Sequence, residues 1–175
     1  MPIEPDAKDW TWVLLRPCAE CGFAAAAFPR ENVGAMIRAN AAAWQPVLAR
    51  NAITRRPDDK TWSPLEYACH VRDVYRIYDT RLARMLTEID PLYANWDQDA
   101  TAVEERYNSQ DPAVVATELI EAATQLADRF DTVVADQWQR TGRRSDGNDF
   151  TVESFARYMI HDPIHHLHDV AGGAT

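Results

Sequence analysis

The stretch WSPLEYACHVRD, residues 62–73, decides the fold of the chain. Ser63 is a typical N-cap residue, Pro64 suits the first helical position, and Glu66 stands where a capping-box carboxylate reaches back to the cap. Apolar residues then recur every three or four positions, which is the pattern of a helix with one buried face. The stretch therefore predicts a helix that begins after Ser63 and continues to about Glu88.

Three other segments carry the same kind of pattern. The first spans about residues 32–50 and contains Pro46, which predicts a kink or an early end. The next spans about residues 111–138 and opens on Asp-Pro, an N-cap followed by a favourable first position. The last spans about residues 152–170, with Thr151 as its cap. Four such helices predict an all-α protein built as a four-helix bundle.

The connection at residues 89–110 determines the order of the helices. About twenty extended residues span roughly 65 Å, whereas a helix of about 25 residues is roughly 38 Å long. The chain can therefore return along the bundle and begin the next helix parallel to the one before it. This predicts an up-down-down-up bundle, with a simple up-down order as the alternative.

The N-terminal residues 1–30 follow a different pattern. Their aromatic stretch WTWVLL, residues 10–15, is too short to predict a helix. We expect these residues to form an extended segment packed on the bundle. Because the chain has only 175 residues and no internal repeat, we expect residues 1–175 to form a single domain.

Composition excludes several classes of partner. The formal net charge is −9, which disfavours contact with a phosphate backbone. The one dense basic cluster is expected to be a solvated loop and consists of Arg140, Arg143 and Arg144. No run approaches the roughly 18 apolar residues of a membrane helix, and the N-terminus lacks the regions of a signal peptide. We expect a cytoplasmic protein that acts on a small-molecule substrate, with no nucleic-acid or membrane partner.

Histidines predict a metal site. His161 and His165 are four apart, so their side chains lie on one face of the last helix and can chelate one ion. His70 lies among apolar residues of the second predicted helix and is expected to point inward. Each feature alone also fits a protein without a metal, as a hydrogen-bonded core histidine or a polar helix face. Three carboxylates near these histidines could orient their rings: Glu66, Asp73 and Asp162.

Two stretches resemble one known family. Residues 62–73 and residues 155–166, FARYMIHDPIHH, resemble the helix-two and helix-four motifs of the DinB/YfiT-like family of metal-binding four-helix bundles. The resemblance covers about residues 30–171 and is closest to the actinobacterial members. It implies parallel middle helices and a homodimer. It also implies that three histidines hold one divalent metal ion: His70, His161 and His165.

Function is predicted from the open coordination of such a site. Three imidazoles leave a position free on the ion, as in catalytic metal sites. Some family members are thiol S-transferases or isomerases that use mycothiol, bacillithiol or glutathione. We therefore expect a metal-dependent transferase that activates a low-molecular-weight thiol of the mycothiol type. A metal-dependent hydrolase and a non-catalytic, metal-braced binding protein are the alternatives. Zinc, nickel, manganese and iron all accept imidazole ligands.

A C-x-x-C pair, Cys18 and Cys21, lies in the N-terminal extension and outside the family pattern. With His161 and His165 these thiols would form a Cys2His2 zinc site, although a separation of about 140 residues is not diagnostic. The pair could instead form a reversible disulfide or pack as thiols.

Three other residues beside the candidate ligands are not expected to bind the metal. Cys69 precedes His70 and so lies about 100° around the helix from it. His166 and His168 are expected to be solvated or to bond to carbonyl groups.

Overall fold

A computed structural model of the protein describes residues 9–172. Five α-helices follow one another along the chain: α1 (Val33–Leu48), α2 (Pro64–Thr87), α3 (Gln98–Glu104), α4 (Pro112–Asp131) and α5 (Val152–Gly172). Three short strands lie between them: β1 (Leu92–Tyr93), β2 (Thr141–Arg144) and β3 (Asp149–Thr151). Within residues 9–172, no helix is long and apolar enough to cross a membrane.

The predicted starts of α2, α4 and α5 are confirmed, and a side chain caps each of them. The Ser63 hydroxyl accepts from the Glu66 N–H, and the Glu66 carboxylate accepts from the Ser63 N–H at 2.8 Å. Asp111 caps α4 by accepting the N–H two residues on at 2.8 Å. Thr151 caps α5 by accepting the N–H three residues on at 3.1 Å. Each cap satisfies backbone donors that the first helical turn leaves without partners.

Helix ends agree less well with the prediction. Pro46 lies inside α1, which ends two residues later at Leu48. The end of α4 was predicted near residue 138 and lies at Asp131 instead. Residues 135–139 form a separate 3₁₀ turn, and Ala135 has a φ of 32°. A positive φ interrupts a right-handed helix, and the apolar pattern of the sequence carries no sign of it.

The bundle consists of α1, α2, α4 and α5, and contacts between helices fix their directions. In the contacts between α2 and α4, and in those between α1 and α5, residue numbers increase in the same direction, so these helices are parallel. In the contacts between α1 and α4 the numbers run in opposite directions, so these two helices are antiparallel. Six polar contacts establish this: Arg72–Glu118, Asp79–Arg129, Arg38–Asp131, Gln45–Ala116, Asn40–Pro163 and Arg50–Val170. The four-helix bundle with parallel middle helices is therefore confirmed, in the predicted up-down-down-up order.

A buried amide anchors α5 in the core. Asn40 donates from Nδ2 to the carbonyl oxygen of Pro163 at 2.9 Å. Its Oδ1 accepts from the Tyr75 hydroxyl at 2.8 Å and from the Trp44 indole N–H at 3.2 Å. Because buried polar groups need partners, this network tolerates little change in the position of α5. It fixes the rotation of the helix that carries four histidines.

The connection between α2 and α4 and the connection between α4 and α5 were predicted as loops. Together they also contain a small sheet. Strand β1 pairs with β2 in parallel, and β2 pairs with β3 antiparallel. Gly142 lies where β2 crosses α2, and a Cβ there would come within 2.7 Å of the Met85 side chain. Arg144 was expected in a solvated loop, but it lies on β2 with its side chain only 11% exposed. Pairing with Asp146 and burial against the bundle account for the difference.

The N-terminal segment packs on the bundle as expected. Residues 10–14 form a short 3₁₀ helix, capped by Asp9, where an extended segment was expected. The Trp10 ring lies 5.6 Å from the His161 ring and 5.3 Å from the His165 ring. The segment thus covers one face of α5. Residues 1–8 of the predicted N-terminal extension lie outside the described part of the chain.

Candidate metal centre

Helix α5 carries two pairs of ligand-type side chains at the same spacing. His161 and His165 form one pair, and Asp162 and His166 form the other. Successive residues on a helix are about 100° apart, so the two pairs face different directions. The first faces the N-terminal segment, and the second faces α2.

The second pair meets His70 from α2. Among residues 9–172, the ligand atoms of His70, Asp162 and His166 lie within 4.8 Å of one another. Asp162 Oδ1 is 3.2 Å from His70 Nε2 and 3.6 Å from His166 Nε2. We call these residues the α2–α5 triad.

The triad fits a divalent metal ion. Ligands about 2.1 Å from an ion lie about 3.0 Å apart in octahedral and 3.4 Å apart in tetrahedral geometry. The Asp162–His70 separation of 3.2 Å lies within this range, and the Asp162–His166 separation of 3.6 Å is slightly longer. Two imidazoles and one carboxylate are a donor set that zinc, manganese, iron and nickel accept.

The His166 ring is oriented by a carboxylate. His166 Nδ1 lies 3.1 Å from Asp169 Oδ2. An ionised carboxylate only accepts hydrogen bonds, so this contact places the proton on Nδ1 and leaves the lone pair of Nε2 directed at Asp162. The Tyr67 ring packs on the same imidazole at 4.7 Å. His166 is thus arranged as metal-binding histidines usually are.

The His70 ring is held by aromatic packing. Trp96 stacks on it at 5.3 Å with an angle of 6° between the planes, and Trp62 lies 5.2 Å away. Its Nδ1 is buried and has no hydrogen-bond partner in the described part of the chain. The imidazole is therefore fixed by shape, with Nε2 facing Asp162.

Electrostatics keep the ligand groups in the forms that bind metals. Burial would raise the pKa of Asp162, but the adjacent imidazoles of His70 and His166 hold it well below its ordinary value. Burial, helped by the neighbouring His165, lowers the pKa of His161 to about 4. At neutral pH Asp162 is therefore an anion and His161 is neutral.

A cavity of about 530 Å³ adjoins the triad. Asp162 and His166 form part of its wall, so an ion bound by the triad would be accessible from the cavity. Arg81, Arg144 and Tyr158 of α5 form another part of the wall. A pocket of this size suits a small molecule.

The two arginines in the wall differ in their partners. Arg144 pairs with Asp146 at 2.7 Å. The buried Arg81 donates to the Ala94 carbonyl at 2.8 Å and lies over the Tyr93 ring at 4.8 Å. Among the described residues it pairs with no carboxylate, and burial lowers its pKa. Arg81 therefore brings an uncompensated positive charge to the cavity wall.

The first pair on α5 meets the C-x-x-C motif. Ligand atoms of Cys18, Cys21, His161 and His165 lie within 4.8 Å of one another, and both cysteines are free thiols. We call these residues the Cys–His tetrad. The structure thus does not bring His70 together with His161 and His165. The physical reason is the rotation of α5, which turns positions 162 and 166 toward α2.

The three carboxylates expected to support the ligands have different roles. Glu66 is used in the cap of α2 and in an ion pair with Arg56. Asp73 pairs with Arg72 and accepts from the Tyr107 hydroxyl at 2.6 Å. Only Asp162 reaches a candidate ligand, and it does so as a direct neighbour of His70.

Sequence reasoning did not include Asp162 and His166 among the candidate ligands. Their spacing of four, followed by Asp169 three residues later, is the signal that could have identified them. His166 was expected to be solvated or bonded to a carbonyl group, but it lies between the carboxylates of Asp162 and Asp169. As expected, Cys69 lies outside both groups, with its thiol 3.7 Å from the Tyr107 carbonyl, and His168 is exposed.

Fold and site together define a four-helix bundle with parallel middle helices and a candidate metal site. Residues 36–170 match the family model of the DinB superfamily, and the chain belongs to this superfamily. The resemblance to the DinB/YfiT-like family is therefore confirmed.

A solved structure with the same fold is described as "YfiT from Bacillus subtilis is a probable metal-dependent hydrolase with an unusual four-helix bundle topology". The match has a TM-score of 0.62 and 18% sequence identity, and it covers 97% of this chain and 91% of that one. At 18% identity, the match supports a shared fold and no statement about function. No curated protein matches the chain in sequence.

Proposed function

We propose that the protein is a metal-dependent enzyme whose divalent ion is bound by His70, Asp162 and His166, and that it hydrolyses a small anionic substrate. The observation that supports this most is the triad itself. Three ligand-type atoms, separated as the ligands of one ion are, lie at the wall of a cavity of about 530 Å³.

The coordination supports a reactive ion more than a structural one. Structural zinc is usually closed by four protein ligands, whereas catalytic sites keep a position open. A divalent ion at the triad would supply Lewis acidity and activate a water molecule at neutral pH. Asp162 contributes one negative charge and the two imidazoles none, so a net positive charge remains to attract an anion.

The anionic substrate class follows from Arg81. Its guanidinium forms part of the cavity wall with no carboxylate partner among the described residues. A planar guanidinium binds carboxylate or phosphate groups through paired hydrogen bonds. The Tyr158 hydroxyl, 3.3 Å from Arg144, adds a neutral donor on the same wall. An ester or amide that carries a carboxylate or phosphate fits these groups.

Transfer of a low-molecular-weight thiol is the second candidate. The cavity is large enough for two small reactants, and its wall includes the polar side chains of Asn95, Gln98 and Asn148. These groups could bind the hydroxyls of a sugar-containing thiol such as mycothiol. Homodimer formation and a cytoplasmic location stay predictions.

One assay separates the alternatives. Protein loaded with zinc, manganese, nickel or iron is tested against carboxylate- and phosphate-bearing esters and amides, and for conjugation of an electrophile to mycothiol, bacillithiol or glutathione. We expect hydrolysis that disappears in His166→Ala and persists in His168→Ala, an exposed position on the same helix. Thiol conjugation without hydrolysis would support transfer instead. Metal binding without either activity would support a non-catalytic protein.

A further inference from the structure

We propose that the chain binds a second metal ion, a structural zinc held by Cys18, Cys21, His161 and His165, which fastens the N-terminal segment to α5. This site is separate from the ion of the proposed function, since none of its four ligands belongs to the α2–α5 triad. It has four protein ligands where the triad has three.

The distances within the Cys–His tetrad suit zinc. All four ligand atoms lie within 4.8 Å of one another. Cys18 Sγ is 3.7 Å from His165 Nδ1. A zinc ion with a sulfur ligand at about 2.3 Å and a nitrogen ligand at about 2.1 Å places the two ligand atoms about 3.6 Å apart in tetrahedral geometry. The observed distance therefore agrees with the expected one.

An unsatisfied nitrogen provides independent support. His161 is only 4% exposed, and its Nε2 has no hydrogen-bond partner in the described part of the chain. A buried polar atom without a partner is costly, and native structures contain few. A bond to zinc would give this nitrogen the partner that it lacks.

His165 is oriented to offer Nδ1 to the metal. Its Nε2 lies 3.4 Å from Glu20 Oε2 and 3.7 Å from Asp169 Oδ1. These carboxylates favour a proton on Nε2 and therefore a lone pair on Nδ1, which faces the Cys18 thiol. Glu20 belongs to the C-x-x-C motif itself, so the loop supplies two ligands and also orients a third.

The loop that carries the thiols is a closed turn. The Cys18 N–H donates to the Phe23 carbonyl at 2.7 Å, and the Gly22 N–H donates to the Cys18 carbonyl at 3.0 Å. Gly22 has a φ of 74°, a left-handed conformation that glycine adopts without strain. The turn holds both cysteines near one point before any ion is bound.

The surroundings favour a closed structural ion. Cys18 is 2% exposed, and the rings of Trp10 and Phe23 pack on His161 at 5.6 and 5.4 Å. Two thiolates neutralise the charge of Zn²⁺, which suits a buried position. Four protein ligands complete the tetrahedral coordination that zinc adopts in structural sites.

Cobalt substitution tests the site directly. Thiolate ligands give bound Co²⁺ an intense charge-transfer absorption in the near ultraviolet, which imidazole and carboxylate ligands lack. We expect this band in the wild type and in His166→Ala, and its loss in Cys18→Ser/Cys21→Ser. Cys69→Ser, which removes a buried thiol outside both groups, is the matched control and should retain the band.

A second measurement uses only the wild type, so its result does not depend on whether the variants fold. Zinc-loaded protein should resist alkylation at Cys18 and Cys21 by at least about tenfold relative to protein treated with a chelator, as read by mass spectrometry. Absence of the cobalt band in the wild type, equal alkylation with and without zinc, or a Cys18–Cys21 disulfide in zinc-replete protein would overturn the proposal. Loss of metal from the triad alone leaves the band in place, so failure of the proposed function is distinguishable.

Discussion

The α2–α5 triad and the Cys–His tetrad lie on adjacent faces of α5. Each uses two α5 residues that are four apart, and the two pairs are offset by one residue. The triad faces α2 and includes a carboxylate. Both groups border the cavity of about 530 Å³, the triad through Asp162 and His166 and the tetrad through its two histidines. The tetrad faces the N-terminal segment and includes two thiols under aromatic rings. The two groups differ in ligand type and number. A shift of one residue on a helix is therefore enough to separate ligands suited to a reactive ion from ligands suited to a structural one.

Removing a triad ligand is expected to have the largest effect on activity. His166→Ala deletes one of three ligands, so catalytic activity should fall by at least about 100-fold, since even groups that only orient a ligand are worth 10–100-fold. His168→Ala should leave activity unchanged. Activity and metal content measured on both variants check this, and full activity in His166→Ala would remove the triad from the chemistry.

Removing the tetrad thiols should mainly affect stability. A zinc ion that joins Cys18 and Cys21 to α5 closes a long loop, and cross-links of that kind contribute about 3 kcal/mol or more. We therefore expect the melting temperature of Cys18→Ser/Cys21→Ser to lie roughly 6–12 °C below that of the zinc-loaded wild type. Calorimetry with and without a chelator measures the effect. A chelator should destabilise the wild type and have little further effect on the variant.

Substitutions at two carboxylates, Asp169 and Glu20, distinguish the two sites. Each carboxylate orients a histidine ring and is not itself a proposed ligand. Asp169→Asn should weaken metal binding at the triad about 10–100-fold, because Asp169 orients His166 at 3.1 Å. Its effect on the tetrad should be smaller, because Asp169 lies 3.7 Å from His165 and Glu20 orients the same ring from 3.4 Å. Glu20→Gln should weaken binding at the tetrad and leave the triad unchanged, since Glu20 contacts His165 and, among residues 9–172, no member of the triad. Competition with a chromophoric chelator gives both affinities. Equal effects of the two substitutions on both sites would contradict two separate ions.

Arg81 provides a test of substrate charge. Arg81→Met removes the positive charge but keeps the length of the side chain, so KM for an anionic substrate should rise about tenfold, as expected for a hydrogen bond to a charged group. KM for a neutral analogue should stay the same. Arg143→Met, at an exposed arginine paired with Asp90, is the control. An equal rise in KM for both substrates would indicate lost packing and not lost charge.

The smallest expected effect concerns the cap of α2, the helix that positions His70. Burial alone would raise the pKa of Glu66, but hydrogen bonds from Arg56 and Ser63 lower it below its ordinary value of 4.5. A lowered carboxyl pKa stabilises the fold above pH 4.5, and this contribution is lost as the pH falls through the folded-state pKa. Glu66→Gln should therefore cost about 1–2 kcal/mol at pH 7 and progressively less below pH 4.5. Urea unfolding at several pH values measures the difference.

Much of the fold could be predicted from the sequence because side chains make the helix starts. Ser63, Asp111 and Thr151 each cap a helix through hydrogen bonds to nearby residues. The end of α4 could not be predicted, because the extended backbone at Val134 and the positive φ at Ala135 have no counterpart in the apolar pattern. The sheet was missed because strands of two to four residues are too short to show an alternating pattern.

The helices and residue types of the candidate site could also be predicted, but not its grouping. Spacing places His161 with His165 and equally Asp162 with His166, and it cannot decide which pair faces α2. That depends on the rotation of α5, which the buried hydrogen bond from Asn40 to Pro163 helps to fix. A long-range contact of this kind has no counterpart in the local sequence pattern.

Anomalous diffraction at the zinc edge, on crystals of zinc-loaded protein, tests most directly whether one helix serves two ions. We predict two separate peaks, one among His70, Asp162 and His166 and one among Cys18, Cys21, His161 and His165. A single peak shared by His70, His161 and His165 would contradict it.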